Sequence, residues 1–74
     1  MFKTKNELYM QAMILSDLRY QLGITIKDLA QEMGYSCAYV ANWCCGVRAC
    51  DIDKVKAAMR RIVVRRYEEV MKWE

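Results

Sequence analysis

The chain has 74 residues, of which 55% are hydrophobic and 28% charged, and its formal net charge at pH 7 is +3. This length predicts one domain over residues 1–74. So small a domain buries only about 60% of the surface that its unfolded chain exposes, so a second copy or a partner is expected to cover part of the apolar surface. No apolar run reaches the ~18 residues of a membrane span, and the N-terminus lacks the pattern of a secretory signal. A cytoplasmic protein is therefore expected.

Helical spacing of the apolar residues predicts an all-α fold, and the three glycines fall where the helical patterns stop. The predicted helices span about residues 6–22, 25–33, 36–45 and 51–73. Thr25 begins a capping box, and Ser36 and Asp51 are good N-cap residues for the helices that follow them. The fourth helix either continues unbroken to Trp73 or bends near Arg65.

The second and third predicted helices are separated only by the tripeptide at residues 34–36, Gly-Tyr-Ser. Two helices joined by a short, glycine-containing turn are typical of a helix-turn-helix, with the motif at about residues 26–45. Val40 and Trp43 would anchor the third helix from beneath and leave its opposite side in solvent. The alternative is a plain helical hairpin, because the same residues also serve general packing.

From residue 22 to about residue 62 the chain resembles the helix-turn-helix domains of the Cro and phage-repressor type, often called the XRE family. The resemblance rests on GYSCAYVANW, on GVR after it, and on DIDKV at the fourth helix. The matching positions are Leu29, Ala30, Met33, Gly34, Val40 and Trp43. The resemblance implies a compact, lambda-repressor-like bundle of four or five helices. It also implies a transcriptional regulator of repressor type, from a phage or mobile element, that binds operator DNA as a dimer.

In this interpretation the third helix enters the major groove of double-stranded DNA, and its first residues reach the base edges. Asn42 can pair with adenine, and Ala38 can contact a thymine methyl group. Phosphate contacts are expected from the start of the second helix and from the loop after the third. The residues expected to contact DNA are Thr25, Lys27, Ser36, Cys37, Ala38, Tyr39, Asn42 and Arg48. The alternatives are that Tyr39 is a half-buried core aromatic and that Asn42 is an ordinary solvated residue.

No charged residue lies between Gly34 and Gly46, so the third helix cannot make the common arginine–guanine contact. Affinity for DNA depends mainly on neutralising phosphates, so the basic run from Lys54 to Arg66 or a second copy would have to contribute. The alternative function is a small phage-encoded inhibitor of a host defence protein, of the anti-CRISPR type. Its uncharged third helix would contact protein, and DNA binding would be autoregulatory. An enzyme is not expected, because the chain has no histidine, no glycine-rich phosphate loop and no nucleophile beside a base.

Apolar residues continue at helical spacing in the C-terminal segment, residues 64–74. We predict that this segment pairs across a two-fold axis and places two reading helices ~34 Å apart, one duplex turn. The predicted dimer interface consists of Val64, Tyr67, Val70 and Met71. The alternative is that these residues and the apolar residues of the first helix, Met10, Met13 and Ile14, cover one another within one subunit.

The chain contains four cysteines, Cys37, Cys44, Cys45 and Cys50. They lack the CxxC spacing of zinc ligands, and a reducing cytosol disfavours a structural disulfide. We therefore expect buried or half-buried thiols, with no metal and no cofactor. An exposed Cys37 would be a candidate redox switch on the reading helix.

Overall fold

A computed structural model describes residues 4–72 of the chain. Within this range the chain forms four α-helices and no strand, which confirms the all-α prediction. They are α1 (Lys5–Leu22), α2 (Ile26–Met33), α3 (Cys37–Cys44) and α4 (Ile52–Met71). The fourth helix continues unbroken past Arg65, and Trp73 lies outside the described residues. No helix between residues 4 and 72 has both the length and the hydropathy needed to cross a membrane.

Side-chain caps determine where the helices begin. In each case a side-chain oxygen accepts a hydrogen bond from a backbone N–H of the first turn, and these caps are Thr4, Thr25, Ser36 and Asp51. Gly34 ends α2 with φ 76°, in the left-handed region that side chains with a Cβ rarely adopt. Three residues therefore suffice to end one helix and cap the next.

Each of the four helices buries one side in a common hydrophobic core. Its central residues, which have no solvent exposure, include Leu15 of α1, Leu29 of α2, Val40 of α3 and Val55 of α4. The third helix packs against α1 and α2, while α4 packs against α2 and α1. The inner side of α4 consists of Val55, Met59 and Ile62, which are all buried, and of Ile52, which is half-buried.

Ion pairs join α4 to α2 at the edge of this core. Glu32 accepts hydrogen bonds from Arg61 at 2.9 Å and from Arg65 at 2.7 Å. Arg66 pairs with Asp28 at 3.0 Å. The same Arg66 guanidinium also donates to the two backbone carbonyls at the C-terminal end of α1. The C-terminal half of α4 is thus attached to the domain mainly through charged groups.

The cysteines differ in exposure. Cys44 and Cys50 are half-buried as expected. Cys37 is exposed, as a contact from the reading helix requires, and the expectation of a buried or half-buried thiol is wrong for Cys45, which is also exposed. Cys37 lies in the first turn of α3 on the side away from the core, and Cys45 follows the last turn. Between residues 4 and 72, no group of three or more Cys, Asp or Glu side chains is arranged to hold a metal ion.

Candidate nucleic-acid interface

The third helix has one anchored side and one open side. Val40 is fully buried and Trp43 is 4% exposed, so both hold the helix against the core. Ser36, Cys37 and Ala38, at the start of the helix, are exposed. This is the division between inner and outer residues that the apolar spacing predicted.

Two of the predicted DNA contacts are less accessible than the others. Tyr39 and Asn42 are half-buried, so each presents only part of its side chain to solvent. No hydrogen bond among residues 4–72 involves the Asn42 carboxamide, which therefore keeps its donors and acceptor for another molecule. The Ser36 hydroxyl accepts from the Tyr39 N–H at 3.2 Å, but it can still donate its own proton.

Tyr39 belongs to an aromatic cluster that the sequence analysis missed. Its ring centroid lies 4.9 Å from that of Tyr35 and 5.2 Å from that of Trp43. The Tyr35 and Trp43 rings also meet edge to face, with centroids 5.6 Å apart. The signal in the sequence is the spacing of four residues between successive rings, which places them on one side of a helix. Tyr35 is 48% exposed, so the cluster runs from the buried Trp43 ring out to solvent at the turn before α3.

Arg48 brings a positive charge to this otherwise neutral surface. Its guanidinium carbon lies 5.1 Å from the centre of the Tyr39 ring, within the range of a cation–π contact. The backbone N–H groups of Val47 and Arg48 both donate to the Asn42 carbonyl, at 2.9 and 3.2 Å. These hydrogen bonds fold the loop back over the end of α3. Arg48 thus supplies at the edge of α3 the charge that the helix itself lacks.

The start of α2 provides a second polar edge. Thr25 and Lys27 are exposed, as a phosphate contact requires. The capping box pairs the N–H groups of Thr25 and Asp28, so the N–H groups of Ile26 and Lys27 are left for an anion. Hydrogen bonds from the Thr25 backbone and side chain, assisted by Arg66, hold the pKa of Asp28 below its ordinary value of 3.8. Asp28 is therefore ionised at neutral pH, and the Arg66 charge offsets its repulsion of a phosphate.

The basic run on α4 is largely engaged within the protein. Arg61 and Arg65 donate to Glu32 and hold its pKa below the ordinary value of 4.5. Two arginines thus share the single carboxylate of Glu32, and their guanidinium groups point towards α2. Three basic residues between positions 54 and 66 form no ion pair with any described residue: Lys54, Lys56 and Arg60. Half of the run is therefore paired within the described part of one copy, and its contribution to phosphate binding stays a prediction.

The residues predicted for the dimer interface are all exposed, at 48% for Val64, 64% for Tyr67, 56% for Val70 and 53% for Met71. The apolar residues on the outer side of α1 are exposed too: Met10, Met13 and Ile14. The alternative in which the two sets cover each other within one subunit is therefore wrong. The exposed apolar residues of α1 and α4 are therefore available for contact with a second molecule.

No family model matches this sequence, and neither a curated protein nor a solved structure matches it. The resemblance to the Cro and phage-repressor type stays a prediction that rests on the residues quoted for it.

Proposed function

We propose that this chain is a helix-turn-helix DNA-binding protein and regulates transcription as a repressor, bound to operator DNA as a dimer. The resemblance of its motif residues supports an origin in a phage or mobile element. The observation that carries the proposal is that α3 is packed on the core along one side and exposed along the other. Val40 and Trp43 fix the helix on the core, its first turn is open, and Arg48 stands at its edge.

In this function α3 lies in the major groove with its N-terminal turn against the bases. Ala38 is positioned for apolar contact with a thymine methyl, and the unpaired Asn42 carboxamide for a bidentate pair with adenine. Arg48 and Lys27, with the two unpaired N–H groups at the start of α2, contact phosphates on either side. Base contacts then determine the sequence that is read, while the two cations determine orientation.

The proposed contacts use two cations per copy, Arg48 and Lys27, so affinity for DNA is expected to be moderate and the salt dependence of binding to reflect these two charges. Each neutralised phosphate contributes about −0.9 to the slope of log K against log salt, which gives roughly −2 per copy and −4 for a dimer. A slope near zero would contradict phosphate binding. A second copy roughly doubles the number of phosphate contacts, which is why the dimer belongs to the proposal.

The test is a titration of fluorescently labelled duplex from upstream of the gene, with unrelated duplex of equal length, at several salt concentrations. Arg48→Ala is expected to weaken binding to both duplexes and to reduce the salt slope by about 1 per copy. Asn42→Ala is expected to cost about 1–3 kcal/mol on the upstream duplex and little on the other. Lys5→Ala, which removes the same charge as Arg48→Ala from the start of α1, is the control.

Equal affinity of the wild-type protein for the two duplexes at every salt concentration would overturn sequence-specific binding. An unchanged salt slope in Arg48→Ala, with normal folding by circular dichroism, would remove Arg48 from the interface. Arg48→Lys separates charge from ring stacking, because it keeps the charge but loses the planar contact with Tyr39.

A second candidate is an inhibitor that binds a host defence protein through the same surface. It is favoured by the absence of charge on α3 and by the exposed Tyr35 ring beside it, since the centres of protein interfaces are rich in aromatic and poor in charged residues. Such a complex should persist at high salt and weaken in Tyr35→Ala. DNA binding should fall steeply with salt instead, so a salt series separates the two functions.

A further inference from the structure

The outer side of α4 carries an apolar row with the spacing of a helix-pairing surface. Successive residues are three and four positions apart, which is the spacing of the two core positions in a coiled coil. We call this row the outer stripe, and its members are Ala57, Arg60, Val64, Tyr67 and Met71, with Val63 and Val70 beside it. All of these side chains are exposed.

The inner side of the same helix is already occupied. Val55, Ala58, Met59 and Ile62 are buried in the domain, so α4 cannot turn to bury its outer stripe without exposing its core contacts. The large apolar residues of the outer stripe and beside it, Val63, Val64, Tyr67, Val70 and Met71, are 36–64% exposed. With ordinary side-chain areas this is roughly 500 Å² per copy, or about 1,000 Å² for two copies, the lower limit for a specific interface.

We propose that a second copy of the chain covers the outer stripe, with the two α4 helices antiparallel across a two-fold axis that passes between Val64 and Tyr67. The inference deepens the dimer of the proposed function and rests on that function only for the biological use of the dimer. In this arrangement Val64 of each copy packs against Tyr67 of the other. The contact is isologous, so it closes at two copies.

Charge decides the orientation. Along α4 the basic residues Arg60, Arg61 and Arg65 precede the acidic residues Glu68 and Glu69. Parallel helices would place Arg60 against Arg60 of the other copy, whereas antiparallel helices about this axis place it level with Met71 and within one turn of Glu68. Neither Arg60 nor Glu68 forms an ion pair with a described residue, so both charges are available for this contact. Because of the two-fold symmetry, the contact between Arg60 and Glu68 occurs twice in the dimer.

A groove next to the outer stripe can receive the end of the second helix. It lies between α1 and α4, holds about 300 Å³, and its walls include Leu18, Leu22, Met59 and Val63. In the antiparallel arrangement Met71 of the second copy lies level with Arg60, at the edge of this groove. A flexible thioether side chain fits such an irregular apolar space well. The groove thus extends the contact from α4 to α1.

The first test measures the mass of the full chain by sedimentation equilibrium over a range of protein concentrations, without DNA. Wild type is expected to be a reversible dimer. Val64→Lys places two like charges beside the axis and is expected to weaken the dimer at least about tenfold. Val47→Lys, which changes an equally apolar exposed valine in the loop after α3, should leave the dimer unchanged. A wild-type protein that is monomeric at every concentration would overturn the proposal.

The second test separates the orientations by exchanging charges. Arg60→Glu and Glu68→Arg are each expected to weaken an antiparallel dimer about tenfold, and the double exchange to restore it to within about threefold of wild type. In a parallel dimer each single change only replaces one like-charged pair by another, so its affinity would stay unchanged. The antiparallel contact would be overturned if the two single variants dimerised as tightly as wild type, or if the double variant dimerised as weakly as the single variants.

Both tests use no nucleic acid, so they are independent of the proposed function. A dimer that fails to bind DNA would refute the function and leave this interface intact. A chain that binds operator DNA but stays monomeric at every concentration would refute this interface and leave only the DNA contacts of α3 standing. Circular dichroism of each variant confirms folding, and all four positions are exposed, so the fold should tolerate the changes.

Discussion

The third helix and the outer half of α4, residues 63–71, both present an exposed surface, but different forces hold them in place. α3 has only eight residues, and its inner side is fixed by Val40 and Trp43, which are at most 4% exposed. The outer half of α4 continues past the last buried residue, Ile62, and is tied to α2 by arginine–carboxylate pairs. One surface is fixed by apolar packing and the other by exposed charges.

The difference indicates which interactions determine the geometry of each surface. A buried aromatic anchor is worth several kcal/mol, whereas an exposed ion pair is worth at most about 1 kcal/mol. The geometry of α3 should therefore depend on the core of a single copy. The outer half of α4 should gain most of its order when a second molecule covers it, and three experiments on the single copy can break or sharpen this contrast.

The largest effect is expected from truncating an aromatic residue on each surface. Trp43→Ala should lower the free energy of unfolding by about 3–5 kcal/mol, because it removes a buried side chain and leaves a cavity beneath α3. Tyr67→Ala, the matched change on the outer half of α4, should cost under about 0.5 kcal/mol in dilute, monomeric protein. Urea unfolding followed by circular dichroism measures both, and similar losses in the two variants would contradict the contrast.

A smaller effect is expected at the start of α3. The Ser36 hydroxyl accepts from the Tyr39 N–H, and Ser36→Ala should cost about 1 kcal/mol. Hydrogen exchange should increase in α3 more than in α4, because so short a helix depends strongly on its cap. Ser16→Ala, inside α1, is the control, since alanine is a good helix former there. A Ser36→Ala protein as stable as the control would show that packing alone fixes α3.

The smallest effect is expected at the ion pairs between α4 and α2. The pKa values of Asp28 and Glu32 are lowered in the folded chain, so the unfolded chain binds more protons in acid. Their contribution is complete above the ordinary values of 3.8 and 4.5 and is lost as pH falls through them towards the folded values. The Tm should therefore fall below about pH 5.

Glu32→Gln isolates one of these carboxylates. It should lower the Tm slightly at pH 7, because Arg61 and Arg65 lose a charged partner, and it should make the fall in acid less steep. Glu69→Gln, which changes an exposed carboxylate in the last turn of α4 with no ion pair to any described residue, should leave both the Tm at pH 7 and the acid profile close to wild type. An acid profile of Glu32→Gln identical to wild type would show that these pairs do not hold α4.

Much of the fold could be predicted because the signals were local. The starts of α2, α3 and α4 follow from the predicted caps Thr25, Ser36 and Asp51, whereas Thr4, the cap of α1, was not predicted. The end of α2 follows from Gly34, because glycine adopts φ 76° without strain. The open and anchored sides of α3 follow from apolar spacing. The aromatic cluster was missed because Tyr35 lies outside the helix, although it continues the four-residue spacing of Tyr39 and Trp43.

The amino-acid sequence by itself determined the helices, their caps and the residues that face the core, because these depend on neighbours within one or two turns. Only the tertiary structure decided which charges remain available. Glu32 and Arg65 are 33 residues apart, and no local pattern indicates that packing of α2 on α4 joins them. The same packing leaves the outer stripe uncovered and, with the folded loop after α3, puts Arg48 over Tyr39. Contacts between distant residues depend on how whole helices pack, which periodicity and capping do not specify.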